Sequence, residues 1–337
     1  MNQHTNELMH IALCFDQNFW PYAQGTIKSI RSTHPSERVH IHVGHPGMDA
    51  ATMSDIHSLV NSFGWEIRDY DLSDDTAVVK KYYKNSNHFN HSNFLRIFLP
   101  DRIPCEQFLY LDSDVLVNRS LSTLYRLNLN NHSIAAVPDS SINTLASKPF
   151  TTFEYYRKIA SRRLKSLINR VRNKRLDPLT YIPTYIHHLR IKDIIAYPYF
   201  NSGVMVINTR AWRDKRITKK CIHFIKSNPN TLLHADQSAL NSVLNNDFLP
   251  LDLKWNTQIN LANIESQSDL IPQPDLIPSS QESVHIAHFV GPLKPWAESY
   301  NITATEHDAP VTNLADQLRQ LATPHRQFSY YPAASEG

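Results

Sequence analysis

Phe108-Leu-Tyr-Leu-Asp112-Ser113-Asp114-Val-Leu-Val117 sets two carboxylates, two residues apart, between two apolar runs. Continuous apolar flanks are the pattern of a strand buried on both faces, as in parallel sheets closed in by helices. A simple turn explains many Asp-X-Asp sequences, because Asp bonds its own backbone and favours tight bends. Between buried flanks, however, two carboxylates need a counter-charge. Flanking one small residue, they can share a hard divalent cation that keeps positions for phosphate oxygens. The stretch therefore predicts an α/β sheet with a metal clamp at a strand end, built to meet a phosphorylated donor.

Upstream, strand and helix patterns alternate. Ile11-Ala-Leu-Cys-Phe15 reads as a first strand, the polar loop from Asp16 leads to a helix over 22–32, and Val39–Val43 reads as a second strand. A helix over Met48–Phe63, a short strand over Trp65–Tyr70 and a helix over Phe94–Phe98 follow. Such alternation predicts a Rossmann-like, mainly parallel sheet flanked by helices. The loop after its first strand is where open α/β sheets bind ligands. No Gly-X-Gly-X-X-Gly follows that strand and the chain has only seven glycines, so a bound phosphate is expected to rest on the metal rather than on a glycine-rich turn.

Downstream, Ile134–Val137 reads as a strand running into Asp139, and Tyr199-Phe-Asn201-Ser202-Gly203 is a polar elbow opening another buried strand. A glycine there permits close backbone approach, although a plain strand-entry turn has the same pattern. One helix is expected over Ala211–Lys226 and a second over 235–244, opening with Asp236-Gln237, where an Asp is often only a cap. Leu249–Asn256 reads as a strand and turn. Val284–Trp296 closes the core and brings His288, Gly291 and Lys294 within a few residues. Mixed Asp/His/water coordination suits Mn²⁺, with Mg²⁺ as the alternative.

Between Thr151 and Lys192, cations crowd a stretch with Ile159, Leu164, Leu167, Ile168 and Val171 at helical spacing. This predicts a basic helical insertion over 140–197. It is either a solvated helix packed by its apolar stripe or a contact for an anionic membrane, where each cation contributes about 1 kcal/mol. Tyr181, Tyr185, His187 and His188 follow it as candidates for lining an acceptor groove. The formal charge of +3 over 337 residues argues against nucleic-acid binding by the whole molecule. The N-terminus lacks a signal-peptide pattern and no apolar run is long enough to span a bilayer, so a cytoplasmic protein, peripheral at the inner face of the plasma membrane, is expected. Cys14, Cys105 and Cys221 are odd in number, far apart and outside any Cys-X-X-Cys spacing, which argues against a disulfide framework or a zinc site and leaves reduced, structural thiols. A catalytic domain over 1–300 and a helical or irregular tail over 301–337 complete the expected organisation.

In this order and spacing, Leu109-Tyr-Leu-Asp-Ser-Asp114, Tyr199-Phe-Asn-Ser-Gly203, Asp236-Gln237 and His288-Phe-Val-Gly-Pro-Leu-Lys-Pro-Trp296 resemble the bacterial branch of glycosyltransferase family 8. These are retaining enzymes that include lipopolysaccharide galactosyl- and glucosyltransferases. The resemblance implies a GT-A fold, with Asp112, Asp114 and His288 on Mn²⁺ and the metal on the diphosphate of a UDP-hexose. It implies that Asp16, Asn18 and Phe19 meet uracil and ribose, that Ser113 lies against the donor, and that Gly291 and Lys294 hold phosphate oxygens. Arg96 and Ser202 would reach the donor sugar. Asn201, Asp139, Asp236 and Gln237 would serve the reacting sugar and the acceptor, with His88 as an acceptor-side histidine. The implied reaction moves galactose or glucose to a hydroxyl of a glycan or glycolipid acceptor.

Leaving-group charge on UDP would be stabilised by the divalent ion and Lys294. Gln237 is a poor nucleophile, so same-face attack is favoured, while Asp139 and Asp236 keep double displacement open. Two readings from other classes compete. A non-catalytic sugar-nucleotide-binding protein has no need of Lys294 as a leaving-group partner, and a metal-dependent phosphohydrolase with a nucleophilic first Asp leaves Asn201–Gly203 and the His288 segment unexplained.

Overall fold

Met9–Cys14 forms β1, buried along most of its length, and pairs in parallel with β2 (Val39–His45) on one side and β4 (Gln107–Leu111) on the other. The computed structural model describes residues 7–83, 91–140, 199–227, 234–244, 247–261, 283–291, 293–297 and 309–322. The basic stretch, Tyr181, Tyr185, His187, His188 and His88 lie outside the described residues.

Helix α1 (Trp20–Thr33) follows β1, α2 (Ala50–Ser62) follows β2, and α3 (Ser73–Tyr82) follows β3 (Glu66–Asp71), so each early strand has a helical return. Pro21 lies in the first turn of α1, where its missing N–H costs nothing. Asp49 caps α2 by accepting from Thr52 N at 2.7 Å. A 3₁₀ turn over His91–Phe94 and α4 (Leu95–Phe98) lie between α3 and β4, and β5 (Val115–Val117) and α5 (Ser122–Tyr125) follow the acidic loop. β6 (Ile134–Pro138), β7 (Phe200–Asn208) and β8 (Phe248–Pro250) complete a seven-stranded sheet of order β3-β2-β1-β4-β7-β6-β8. The sheet is parallel except at β7, which is antiparallel to β4 and to β6.

Alternate residues of the central strands serve two cores. Ala12, Phe108, Tyr110, Met205 and Ile207 pack on one face, while Ile11, Leu13, Leu109, Leu111, Val204 and Val206 pack on the other.

Two details depart from the sequence expectation. The helix expected over Ala211–Lys226 is two helices, α6 (Thr209–Asp214) and α7 (Ile217–Ser227), because Arg216 takes φ +55° and breaks the ladder. The segments around the acidic loop and the chain end also form a second sheet, β5-β10-β9, with β10 (Ile286–Phe289) antiparallel to β5 and parallel to β9 (Thr257–Ile259). Pairing of β10 with β5 sets His288 opposite Val115, directly beside Asp114. Helix α8 (Ala235–Val243) adjoins β7, and α9 (Ala309–Leu321) packs on α1, where Leu314 and Leu318 join the apolar cluster beneath the small sheet.

Candidate active site

Asp112 and Asp114 sit in the loop where β4 leaves the large sheet and β5 enters the small one. Asp112 N–H donates to Gly203 O at 2.8 Å and Phe289 N–H donates to Asp114 O at 3.2 Å, so backbone bonds tie this loop to β7 and β10. His288 Nε2 lies 3.8 Å from Asp112 Oδ2 and 3.3 Å from Asp114 Oδ1.

The protonation of His288 follows from a chain of hydrogen bonds that starts at a fixed donor. Gly203 N–H donates to Asn201 Oδ1 at 3.0 Å, which identifies that atom as the acceptor. Asn256 Nδ2 then donates to the same oxygen at 2.9 Å, which turns Asn256 Oδ1 toward His288 Nδ1, also 2.9 Å away. Nδ1 must therefore carry the proton, and in the neutral ring Nε2 presents its lone pair to Asp112 and Asp114. Asp114 Oδ1 is buried and has no hydrogen-bond partner among the described residues. Three converging acceptors need a cation between them, and one atom from each residue lies within 4.8 Å of the others. Two carboxylates and an imidazole held by a further polar side chain are a fitting donor set for Mn²⁺ or Mg²⁺.

Asn256→Leu removes the acceptor that fixes this tautomer. It is expected to weaken metal affinity by roughly 10- to 100-fold, read by Mn²⁺ titration, with little change in secondary structure by circular dichroism.

Gly203 allows this convergence. A Cβ there would overlap His288 Cε1 and lie 2.8 Å from its Nδ1 and 2.9 Å from Asp112 Oδ2.

Lys294 Nζ donates to Asp114 Oδ2 and to Phe289 O, each at 2.6 Å. Burial alone would raise the Asp114 pKa, but the Lys294 ammonium outweighs it and holds the carboxyl well below the usual carboxylate range. Arg96 is buried and saturated. Its Nη2 lies 2.8 Å from Asp112 Oδ1, its Nε 3.0 Å from Asp236 Oδ2, and its Nη1 donates to Ser202 O at 2.9 Å, with the Tyr110 ring stacked 4.8 Å away. Burial pushes Asp236 up to about 6 in spite of Arg96. Asp236 does not cap α8; it turns inward, aided by Ala235 at φ +46°.

A second fixed donor orients Gln237. Ser202 N–H donates to Gln237 Oε1 at 3.1 Å, so Gln237 Nε2 donates to Asp139 Oδ2 at 3.0 Å, where Asn201 Nδ2 also donates at 3.3 Å. Asp112, Asp114, Asp139, Asp236, Arg96, Lys294, Asn201, Ser202, Gln237 and His288 thus form one connected cluster. Four carboxylates face two permanent cations, a deficit that one divalent ion balances. Ser113 Oγ is buried beside them and has no partner among the described residues.

The loop after β1 is placed differently. Asp16 Oδ1 accepts from Phe19 N at 3.0 Å, Asn18 is exposed, and Phe19 packs edge-on against Trp296 at 5.8 Å, so these residues adjoin the segment that carries Lys294 rather than the metal ligands. Gly291 is exposed and takes φ +83° on the way to Lys294. Cys14 lies beside Arg96, Asp112 and Asp236, and burial pushes its thiol pKa far up, which keeps it inert.

Sequence reasoning missed Asn256, Gln258 and Tyr110. Gln258 Oε1 accepts from Ser140 N and Oγ, both at 3.1 Å, and Tyr110 OH donates to Asp112 Oδ1 at 3.0 Å. The alternation of Asn256 and Gln258 around buried Thr257 was the available signal, since polar side chains on a buried strand require partners.

Residues 10–299 match the profile of glycosyl transferase family 8, and the chain belongs to this family. It is 26% identical over 302 residues to general stress protein A of Bacillus subtilis, covering 86% of this chain and 88% of that protein. It is 25% identical over 299 residues to a lipopolysaccharide 1,3-galactosyltransferase of Salmonella typhimurium, covering 87% of this chain and 75% of that one. The solved galactosyltransferase LgtC, in complex with donor and acceptor sugar analogs, superposes with a TM-score of 0.63 at 20% identity, covering 95% of this chain and 98% of that one. The fold is accordingly GT-A, and the protein is a glycosyltransferase. Among the described residues no helix is long and apolar enough to cross a membrane.

Proposed function

We propose that this chain is a retaining hexosyltransferase that transfers galactose or glucose from UDP-hexose to a hydroxyl of a lipopolysaccharide core or similar surface glycan. The observation that carries the reading is the convergence of Asp112, Asp114 and the lone pair of His288 beside Lys294, with the amides of Asn201 and Gln237 gathered on Asp139 next to them. Asp112, Asp114 and His288 would hold a divalent ion, which would supply Lewis-acid charge to the diphosphate. The names of relatives, a lipopolysaccharide 1,3-galactosyltransferase and the lipopolysaccharide glucosyltransferase WaaO of Escherichia coli, support the acceptor class and the two candidate sugars.

The residues divide the work by what they hold. Lys294 leaves its contact with Asp114 to meet the phosphate oxygen that gains charge as the anomeric bond breaks. Asp139, bridged by Asn201 and Gln237, offers its remaining lone pairs to sugar hydroxyls. Gln237 Oε1 is committed to Ser202 N–H and Asp236 to Arg96 and Ser202. With both tied back, same-face attack is favoured, the acceptor proton passing to the departing phosphate. Asp16, Asn18 and Phe19 take the uridine end, and the basic stretch over 140–197 carries the contact with an anionic membrane at the cytoplasmic face.

A phosphohydrolase would need Asp112 as nucleophile. Its oxygens instead accept from Arg96 at 2.8 and 3.3 Å and from Tyr110 OH at 3.0 Å, which leaves it a poor attacking group.

Incubating the protein with Mn²⁺ and a panel of UDP-sugars, without acceptor, tests the proposal. Slow UDP release from UDP-galactose or UDP-glucose is expected, abolished by EDTA and in Asp112→Ala/Asp114→Ala. Release of inorganic phosphate instead of UDP would establish a hydrolase, and UDP binding without turnover even when glycan acceptors are supplied would establish a binding protein.

A further inference from the structure

Three histidines gather at the other end of the strands. His10 is the second residue of β1, and His40 and His42 lie on β2, with His10 in register with His40 and Ala12 with His42. His10 lies four positions before Cys14, which lies beside Arg96 and Asp112. At strand rise this is about 13 Å from the active-site edge.

The rings form a stack, with centroids 4.2 Å apart for His40 and His42 and 5.2 Å for His10 and His42. One ring nitrogen from each lies within 4.8 Å of the others. His10 Nδ1 and His42 Nε2 are 2.9 Å apart, so at least one of these facing nitrogens holds a lone pair. On the far side of its ring, His42 Nδ1 is 3.0 Å from Tyr70 OH. His40 Nε2 is buried and has no hydrogen-bond partner among the described residues, while His40 Nδ1 faces Glu66 Oε2 at 3.6 Å.

A packing role accounts poorly for this arrangement. The neighbouring inward positions on this face are Ala12, Phe108 and Tyr110, and His42 is only 1% exposed. Three imidazoles side by side there lose hydration and gain one mutual hydrogen bond, and an orphaned nitrogen remains. Each has instead the features of a metal ligand: neutral nitrogens directed at one another, with Tyr70 behind His42 and Glu66 behind His40 to orient the rings. We propose that His10, His40 and His42 form a second metal site, separate from the Asp112–Asp114–His288 cluster, for a borderline divalent ion of the zinc class. Tetrahedral Zn–N bonds of about 2.0–2.1 Å place ligand nitrogens about 3.3 Å apart. Ligation therefore asks the 2.9 Å pair to open slightly, the wider separations to close and the stacked rings to turn so that their lone pairs converge on the ion. An all-imidazole donor set selects zinc over the harder Mn²⁺ and Mg²⁺ suited to carboxylates.

The test uses the full chain, stripped of metal, in an Asp112→Asn/Asp114→Asn background so that the first site does not contribute. Zn²⁺ alone is titrated in competition with a chromophoric chelator. One tightly held equivalent is expected, weakened at least ~100-fold by His10→Gln or His40→Gln and by roughly 10-fold by Tyr70→Phe. In the otherwise unaltered chain, His40→Gln should leave UDP release unchanged, which also shows that the variant is folded. Co²⁺ added to the same background gives a second readout that needs no histidine variant: an intense visible spectrum of four-coordinate metal supports the site. The proposal is overturned if the background variant holds no equivalent, if the histidine variants bind Zn²⁺ as it does, or if Co²⁺ shows only the pale spectrum of the hydrated ion.

Discussion

Gly203→Ala is expected to abolish sugar transfer while leaving the protein folded. A methyl group at this position would overlap the His288 ring and press on Asp112 Oδ2 at 2.9 Å. Neither can retreat freely: His288 is held by Asn256 and Asp112 by Arg96 and Tyr110. Overpacking of this kind costs about 1–3 kcal/mol of stability. The functional loss should be far larger, since displacing a catalytic group by about 1 Å lowers rates by roughly 100-fold, and here two of the proposed metal ligands move together. A matched control is Gly64→Ala, where the backbone is left-handed at φ +72° but nothing lies within 4 Å of a new Cβ. That variant should lose about 1 kcal/mol from strain alone and keep full activity. Melting temperature, Mn²⁺ affinity and UDP release measured on both variants separate the two causes. Equal activity in the two alanine variants would show that Gly203 is not the floor of the metal site.

The candidate ligands of that site, and Lys294 beside them, stood out in the sequence because each sits in a short, distinctive run. Asp112 and Asp114 interrupt an apolar stretch, and His288 and Lys294 follow another. Parallel β/α alternation was legible from periodicity through the first three strands, whose parallel pairing the structure bears out. The break at Arg216 was hidden because neither glycine nor proline marks it, and a left-handed non-glycine residue leaves no compositional trace. The small sheet was hidden for another reason: β5 and β9 have three residues each, and the pairing of β5 with β10 joins segments more than 100 residues apart. Tertiary contact alone defines such strands. Asn256 escaped notice for the same reason, since its value comes from Asn201 and His288, its neighbours in space.

Arg96→Met should destabilise the protein by about 3–5 kcal/mol, the range for removing one partner of a buried ion cluster. The guanidinium holds Asp112 at 2.8 Å and Asp236 at 3.0 Å and is the counter-charge they share. Methionine fills similar volume over the Tyr110 ring but leaves two carboxylates without their shared counter-charge. Their response should depend on pH, with a sign that follows from Asp236. Its folded pKa already lies at about 6, above its ordinary value of 3.8, so the folded state binds this proton more tightly than the unfolded state does. In the parent, this group's contribution therefore falls as pH rises from about 4 to about 6. Without Arg96 the folded pKa rises further, the window extends upward through neutrality, and the variant's deficit should be smaller at pH 5 than at pH 8. Thermal melts in EDTA at the two pH values measure this directly. Adding Asp236→Asn removes one of the orphaned charges, so the double variant should recover about 1–3 kcal/mol relative to Arg96→Met, a coupling that independent sites do not show. Activity should remain lost in the double variant, because Asp112 still lacks the partner that orients it. A pH-independent deficit, or a double variant no more stable than Arg96→Met, would mean that Arg96 acts through packing on Tyr110 and not as the counter-ion of Asp112 and Asp236.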